Sequence, residues 1–143
     1  SYDHLATWMI EAHFQARPEA VKRRRPVTFF HPESGDARFA VFASRFVLVH
    51  GDRIGSRGGQ GFIGPAATVQ RGIYKVRKQY AEMGRPVDHV MVGHFHTAMR
   101  LQHGYVNGSL VGFNEYAKAE LRVEPEPPQQ LQLFVHPRWG ITA

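Results

Sequence analysis

Two apolar runs of strand length organise this chain, and each ends in histidine. Phe46-Val47-Leu48-Val49 runs into His50-Gly51-Asp52, and Val90-Met91-Val92 runs into Gly93-His94-Phe95-His96. Short apolar runs bounded by glycine predict strands. The first has no polar position, which predicts burial on both faces, as in a central strand. Ligands of open α/β sheets gather outside the carboxyl ends of the strands, so these two ends are the expected place of chemistry.

The remaining pattern supplies helices around these strands. Leu5, Trp8, Met9 and Ala12 follow helical spacing and predict an amphipathic helix over 2–14, capped by Ser1 or Asp3. Val27–Phe30 reads as a short strand and His31–Asp36 as a turn. Arg38–Ala43 and Arg45–His50 read as a hairpin turning around Ser44. A glycine-rich loop fills 51–64, without the pattern of a P-loop. Val69, Ile73, Val76, Tyr80 and Met83 then form one apolar stripe of a helix over 66–83, stopped by Gly84-Arg85-Pro86. On this helix Arg71, Lys75, Arg77 and Lys78 lie mainly off the stripe and read as solvated. A strand over 87–92 follows, then short strands at 98–101 and 105–106, turns, a polar loop over 112–117, and a terminal strand through Leu131, Leu133 and Val135. The order of elements predicts an α/β fold, a mixed sheet with flanking helices.

Composition narrows the chemistry. A length of 143 residues suits one domain or part of a larger one. The chain has no cysteine, so any metal must sit on imidazole, carboxylate, carbonyl or water. No apolar run approaches the ~20 residues of a membrane span, and the N-terminus resembles no signal peptide, which reads as a cytoplasmic protein without a membrane partner. The formal net charge of +6 favours polyanionic partners. The run Lys22-Arg23-Arg24-Arg25 reads as a solvated loop, with phosphate-backbone contact as the alternative.

Histidines two apart on an extended segment project to one side, with Cα atoms roughly 6.5–7 Å apart. His94 and His96 can therefore share an ion or serve two neighbouring ions, and His50 can supply a third imidazole.

Val49-His50-Gly51-Asp52 and Gly93-His94-Phe95-His96 resemble the last two metal motifs of calcineurin-like metallophosphoesterases of the phage and bacterial type. Asn107-Gly108-Ser109-Leu110-Val111-Gly112 and Glu115-Tyr116-Ala117 resemble the stretch that follows them there. The resemblance implies an αββα sandwich around two divalent metal ions (Mn, Fe or Zn), with His50 and His94 on one ion and His96 on the other. It implies hydrolysis of a phosphoester by a phosphodiesterase, phosphatase or nuclease, with nucleic acid among the substrates. Asp52 is the candidate for orienting a ligand ring, and Arg53, Arg57 and Asn114 are candidates for holding substrate phosphate.

The earlier motifs of that family, Asp-x-His, Gly-Asp-x-x-Asp and Gly-Asn-His, do not occur in this sequence. Residues 1–143 are therefore expected to be the C-terminal part of one metallophosphoesterase domain. The catalytic histidine is then absent, and a missing N-terminal half or a companion chain completes the site. That half, or another chain, is expected to cover one side of the sheet. Two other readings compete: a mononuclear zinc hydrolase or lyase on His50, His94 and His96, and a non-enzymatic nucleic-acid-binding module using the basic run and helix 66–83.

Overall fold

The computed structural model describes residues 2–16, 29, 30, 32, 35–54, 64–113 and 125–142. They fall into two compact units, Ser1–Glu33 and Ser34–Ala143. The first unit carries helix α1 (Tyr2–Gln15), as its apolar spacing predicts. Within it the rings of Phe14 and Phe29 meet at 5.7 Å, whereas Trp8 and Met9 of the expected stripe are exposed. The strand expected at 27–30 lies mostly outside the described residues, and Phe29 and Phe30 are not in a strand.

The second unit is a mixed α/β fold. Its strands are β1 (Asp36–Val41), β2 (Ser44–Val49), β3 (His89–Val92), β4 (Met99–Leu101) and β5 (Gly104–Val106), with helix α2 (Gly64–Glu82) between β2 and β3. They form one five-stranded sheet in the order β1-β2-β3-β5-β4. The β1–β2 and β4–β5 pairs are antiparallel hairpins, and the central pairs β2–β3 and β3–β5 are parallel. The first hairpin turns at Phe42-Ala43 rather than at Ser44, because Ser44 already pairs with Val41; Phe42 takes the positive φ, +53°, that two-residue hairpin loops require. Beyond the sheet, β6 (Phe134–His136) and β7 (Gly140–Thr142) make a small separate hairpin. The expected terminal strand is thus shorter than Leu131–Val135, and β7 was not legible in the alternation.

Parallel pairing places Val47 opposite Val90 and Val49 opposite Val92. Residues two apart on a strand share a face, so these four and Val106 make one apolar surface. Val69, Ile73 and Tyr80 of α2 complete the buried cluster with them. A β-carbon on Gly104 would collide with Ile73 Cδ1, so the absent side chain is what lets the helix approach β5. The helix ends as its sequence predicts. Gly84 takes φ +68°, Arg85 N–H donates to the Tyr80 carbonyl at 2.9 Å and Gly84 N–H to that of Ala81 at 3.0 Å, the paired bonds of a Schellman cap.

The other face of the sheet is only partly covered. Phe39 stacks on Phe46 at 5.2 Å, and Phe46 is buried, but Phe39 is 43% and Leu48 46% exposed. The uninterrupted apolar run of β2 therefore does not signify burial on both faces here. At the amino ends of β2 and β3, Arg45 grips Asp88 through Nε–Oδ2 at 2.9 Å and Nη2–Oδ1 at 2.7 Å. This fork holds the Asp88 carboxyl down at about 2. Among the described residues no helix is long and apolar enough to cross a membrane.

Candidate metal centre

The register of β2 and β3 decides what their carboxyl ends bring together. Val49 pairs with Val92, so His50 and Gly93 leave the sheet side by side and His94 follows at once. The imidazoles of His50 and His94 stand 5.1 Å apart, centre to centre, with their planes 64° to one another. Two imidazoles on one ion, with metal–nitrogen bonds of ~2.0–2.1 Å and an angle near 100°, have centres roughly 5 Å apart. The donor set and spacing therefore fit a shared ion. Both residues are exposed and open to solvent.

Glycines make this approach possible. Gly51 has φ +108°, which side-chain-bearing residues rarely adopt, and a β-carbon there would stand 2.8 Å from the Gly93 carbonyl oxygen and 2.8 Å from Val92 Cγ1. A β-carbon on Gly93 would meet the His50 carbonyl oxygen at 3.3 Å.

The loop after β3 is strained. His94 and His96 take φ of +72° and +62°. Phe95 N–H donates to the Gly93 carbonyl at 2.9 Å, closing a three-residue turn centred on His94. Non-glycine residues held in the left-handed region cost about 1–3 kcal/mol each and persist where the surroundings enforce them. Here the bracing comes from the C-terminal segment. Ser109 N–H donates to the His96 carbonyl at 3.0 Å, Gln129 N–H to the Ser109 carbonyl at 2.9 Å, and the Thr97 hydroxyl to Glu126 Oε1 at 3.0 Å. Asn107 joins in through Gln130 at 3.0 Å and through Leu131 N–H at 2.9 Å. The polar residues of 126–131, silent in the sequence, therefore fix the backbone that carries the histidines.

The structure brings His50 and His94 together but not His96. Among the described residues no ring contact joins His96 to either, and no three or more histidine, aspartate or glutamate side chains are grouped to hold a metal ion. Asp52 is exposed in the turn closed by Ile54 N–H to the Gly51 carbonyl at 3.0 Å. It makes no hydrogen bond to either imidazole among the described residues. Arg57 and Asn114 lie outside the described residues.

A cleft of about 790 Å³ adjoins His50. His50, Asp52 and Arg53 line it from the end of β2, and Thr68, Arg71, Lys75 and Gln79 from one side of α2. Its volume lies in the range of small-molecule sites. Arg53 is a phosphate candidate from the sequence alone, whereas helical spacing marks Arg71 and Lys75 only as solvated; their spacing from Thr68 and Gln79 is the available signal.

No family model, no curated protein and no solved structure matches the chain.

Proposed function

We propose that this chain contributes the histidine ligands of a metal-dependent phosphoester hydrolase. The observation that carries the reading is the His50–His94 pair, two solvent-open imidazoles 5.1 Å apart at the carboxyl ends of adjacent parallel strands. The resemblance of both motifs to those of calcineurin-like metallophosphoesterases supports it, as does a cleft beside His50 that carries Arg53, Arg71 and Lys75. In this reading His96 and residues of a companion segment or chain complete a two-metal site, and the partly open face of the sheet is the side that a sandwich partner would cover.

Bound divalent ions supply Lewis-acid stabilisation of the phosphoryl oxygens and lower the pKa of a water. The chain's own part is to hold and orient. His50 and His94 present imidazole nitrogens from just past the ends of two adjacent strands. The braced loop over 93–97 limits the freedom of the His94 ring, and Arg53 offers a guanidinium to a phosphate oxygen.

The test is metal content per chain by mass spectrometry after equilibration with manganese or zinc, together with hydrolysis of bis(p-nitrophenyl) phosphate. Binding and hydrolysis that are both lost in His50→Ala and His94→Ala support the reading. Retention of bound metal in both variants refutes it. A single tightly held ion per chain that also requires His96 points instead to a three-histidine mononuclear site.

A further inference from the structure

We propose that the outer face of α2 is a binding track for single-stranded nucleic acid leading into the cleft beside His50; this rests on the phosphoester reading and names its substrate class. Arg71, Lys75 and Lys78 stand at i, i+4 and i+7 and form one row on the helix. The row is ~10 Å long at 1.5 Å per residue. All three are exposed. Arg71 and Lys75 also line the cleft, and Lys78 continues the row away from it. Across the cleft stands Arg53.

Three points favour a chain of phosphates over a single phosphoryl group. First, the cations are strung along the helix instead of converging on one point, which suits successive phosphates of a strand better than a single phosphoryl group. Second, like charges at i, i+4 and i, i+3 repel on a helix. Among the described residues the only salt bridge in the row is that of Lys78 with Glu82, at 3.8 Å. Arg71 and Lys75 form no salt bridge among the described residues. Third, an aromatic ring is set into the row. Tyr74, 66% exposed, lies three residues after Arg71 and four before Lys78. Cations that follow a backbone, with an exposed ring on which a base can stack, are the combination by which proteins hold single strands. A duplex has no unstacked base to offer that ring. The cleft also holds two carboxylates, Asp36, which accepts the Tyr80 hydroxyl at 2.9 Å, and Asp52 at the histidine end, while Tyr74 and Lys78 continue the row outside it.

The test is fluorescence anisotropy of a labelled 15-nucleotide oligothymidylate, in chelator, over a salt series. Chelator separates this proposal from the hydrolase reading, because the track needs no metal. Binding should weaken with salt, and Arg71→Ala with Lys75→Ala should lower the slope of log affinity against log salt by ~1.4. Tyr74→Ala should weaken binding about tenfold and leave the slope unchanged. Arg100→Ala with Arg138→Ala, an equal loss of charge elsewhere, should change affinity less than twofold. No binding, an equal loss in this charge control, or a duplex held as tightly with Tyr74→Ala silent would each overturn the proposal. If the oligonucleotide binds while bound metal is retained in both His50→Ala and His94→Ala, the track stands and the hydrolase reading falls. Hydrolysis without oligonucleotide binding has the opposite meaning.

Discussion

The Gly93 carbonyl oxygen lies 2.8 Å from the point where a β-carbon on Gly51 would stand. The two residues close the carboxyl ends of β2 and β3, and their contact sets how near His50 comes to His94. Gly51→Ala is therefore expected to push the strand ends apart, beyond the strain of an alanine at φ +108°. The expected cost is about 1–3 kcal/mol of stability, with manganese or zinc affinity reduced more than tenfold. Gly93→Ala, whose β-carbon meets the His50 carbonyl at 3.3 Å, should do less. Calorimetric metal titration and thermal melts of both variants check this ordering.

Packing of α2 on the sheet depends on Ile73 and Gly104. Ile73 is fully buried, and Ile73→Ala should cost about 2–5 kcal/mol through lost burial and the cavity left behind. Gly104→Ala should cost about 1–3 kcal/mol through overpacking. Because the new methyl would meet Ile73 Cδ1 itself, Ile73→Val should cost less in the Gly104→Ala background than alone. Urea unfolding of the double-mutant cycle measures that coupling.

His89 gives the fold a dependence on mildly acidic pH. Its Nδ1 is buried with no hydrogen-bond partner among the described residues, and its ring lies 5.3 Å from Phe46 and 5.8 Å from Tyr105. Burial lowers its pKa from 6.5, with His103 and Arg77 acting in the same direction and Asp88 opposing them. A depressed pKa means that the unfolded chain takes up the proton first. The neutral ring's contribution is thus complete above pH 6.5 and is lost as pH falls through the folded-state value. Melting temperatures from pH 7.5 down to 5 should fall, and His89→Phe should flatten that fall.

Asp88 acts lower on the pH scale. Hydrogen bonding to Arg45 brings its pKa from 3.8 to about 2, so its contribution is present above 3.8 and is lost as pH falls toward 2. The fork is largely solvent-exposed, so the effect is modest. Asp88→Asn is expected to lower the melting temperature by a few degrees at pH 7 and by much less at pH 2, where the folded carboxyl is about half protonated. Melts at the two pH values, in low and high salt, measure it.

Local signals in the sequence determined the elements that local physics controls. The apolar stripe through Val69, Ile73 and Tyr80 specifies α2, and Gly84 specifies its end, because side-chain period and a left-handed cap depend only on neighbours in the chain. The runs before His50 and His94 specify β2 and β3 for the same reason. Tertiary structure alone decided what depends on which strands lie side by side. Parallel pairing of β2 with β3, with Val49 opposite Val92, is what turns histidines 44 positions apart into rings 5.1 Å apart. Periodicity carries no record of partner or register, so which rings meet could not be read from the spacing of the histidines. The exposure of Leu48 follows from what covers the sheet, which an apolar run does not encode. The placement of Arg71 and Lys75 on the cleft likewise appears only when the end of β2 is set against α2, because a helix sequence shows which residues avoid the core, not what they face instead.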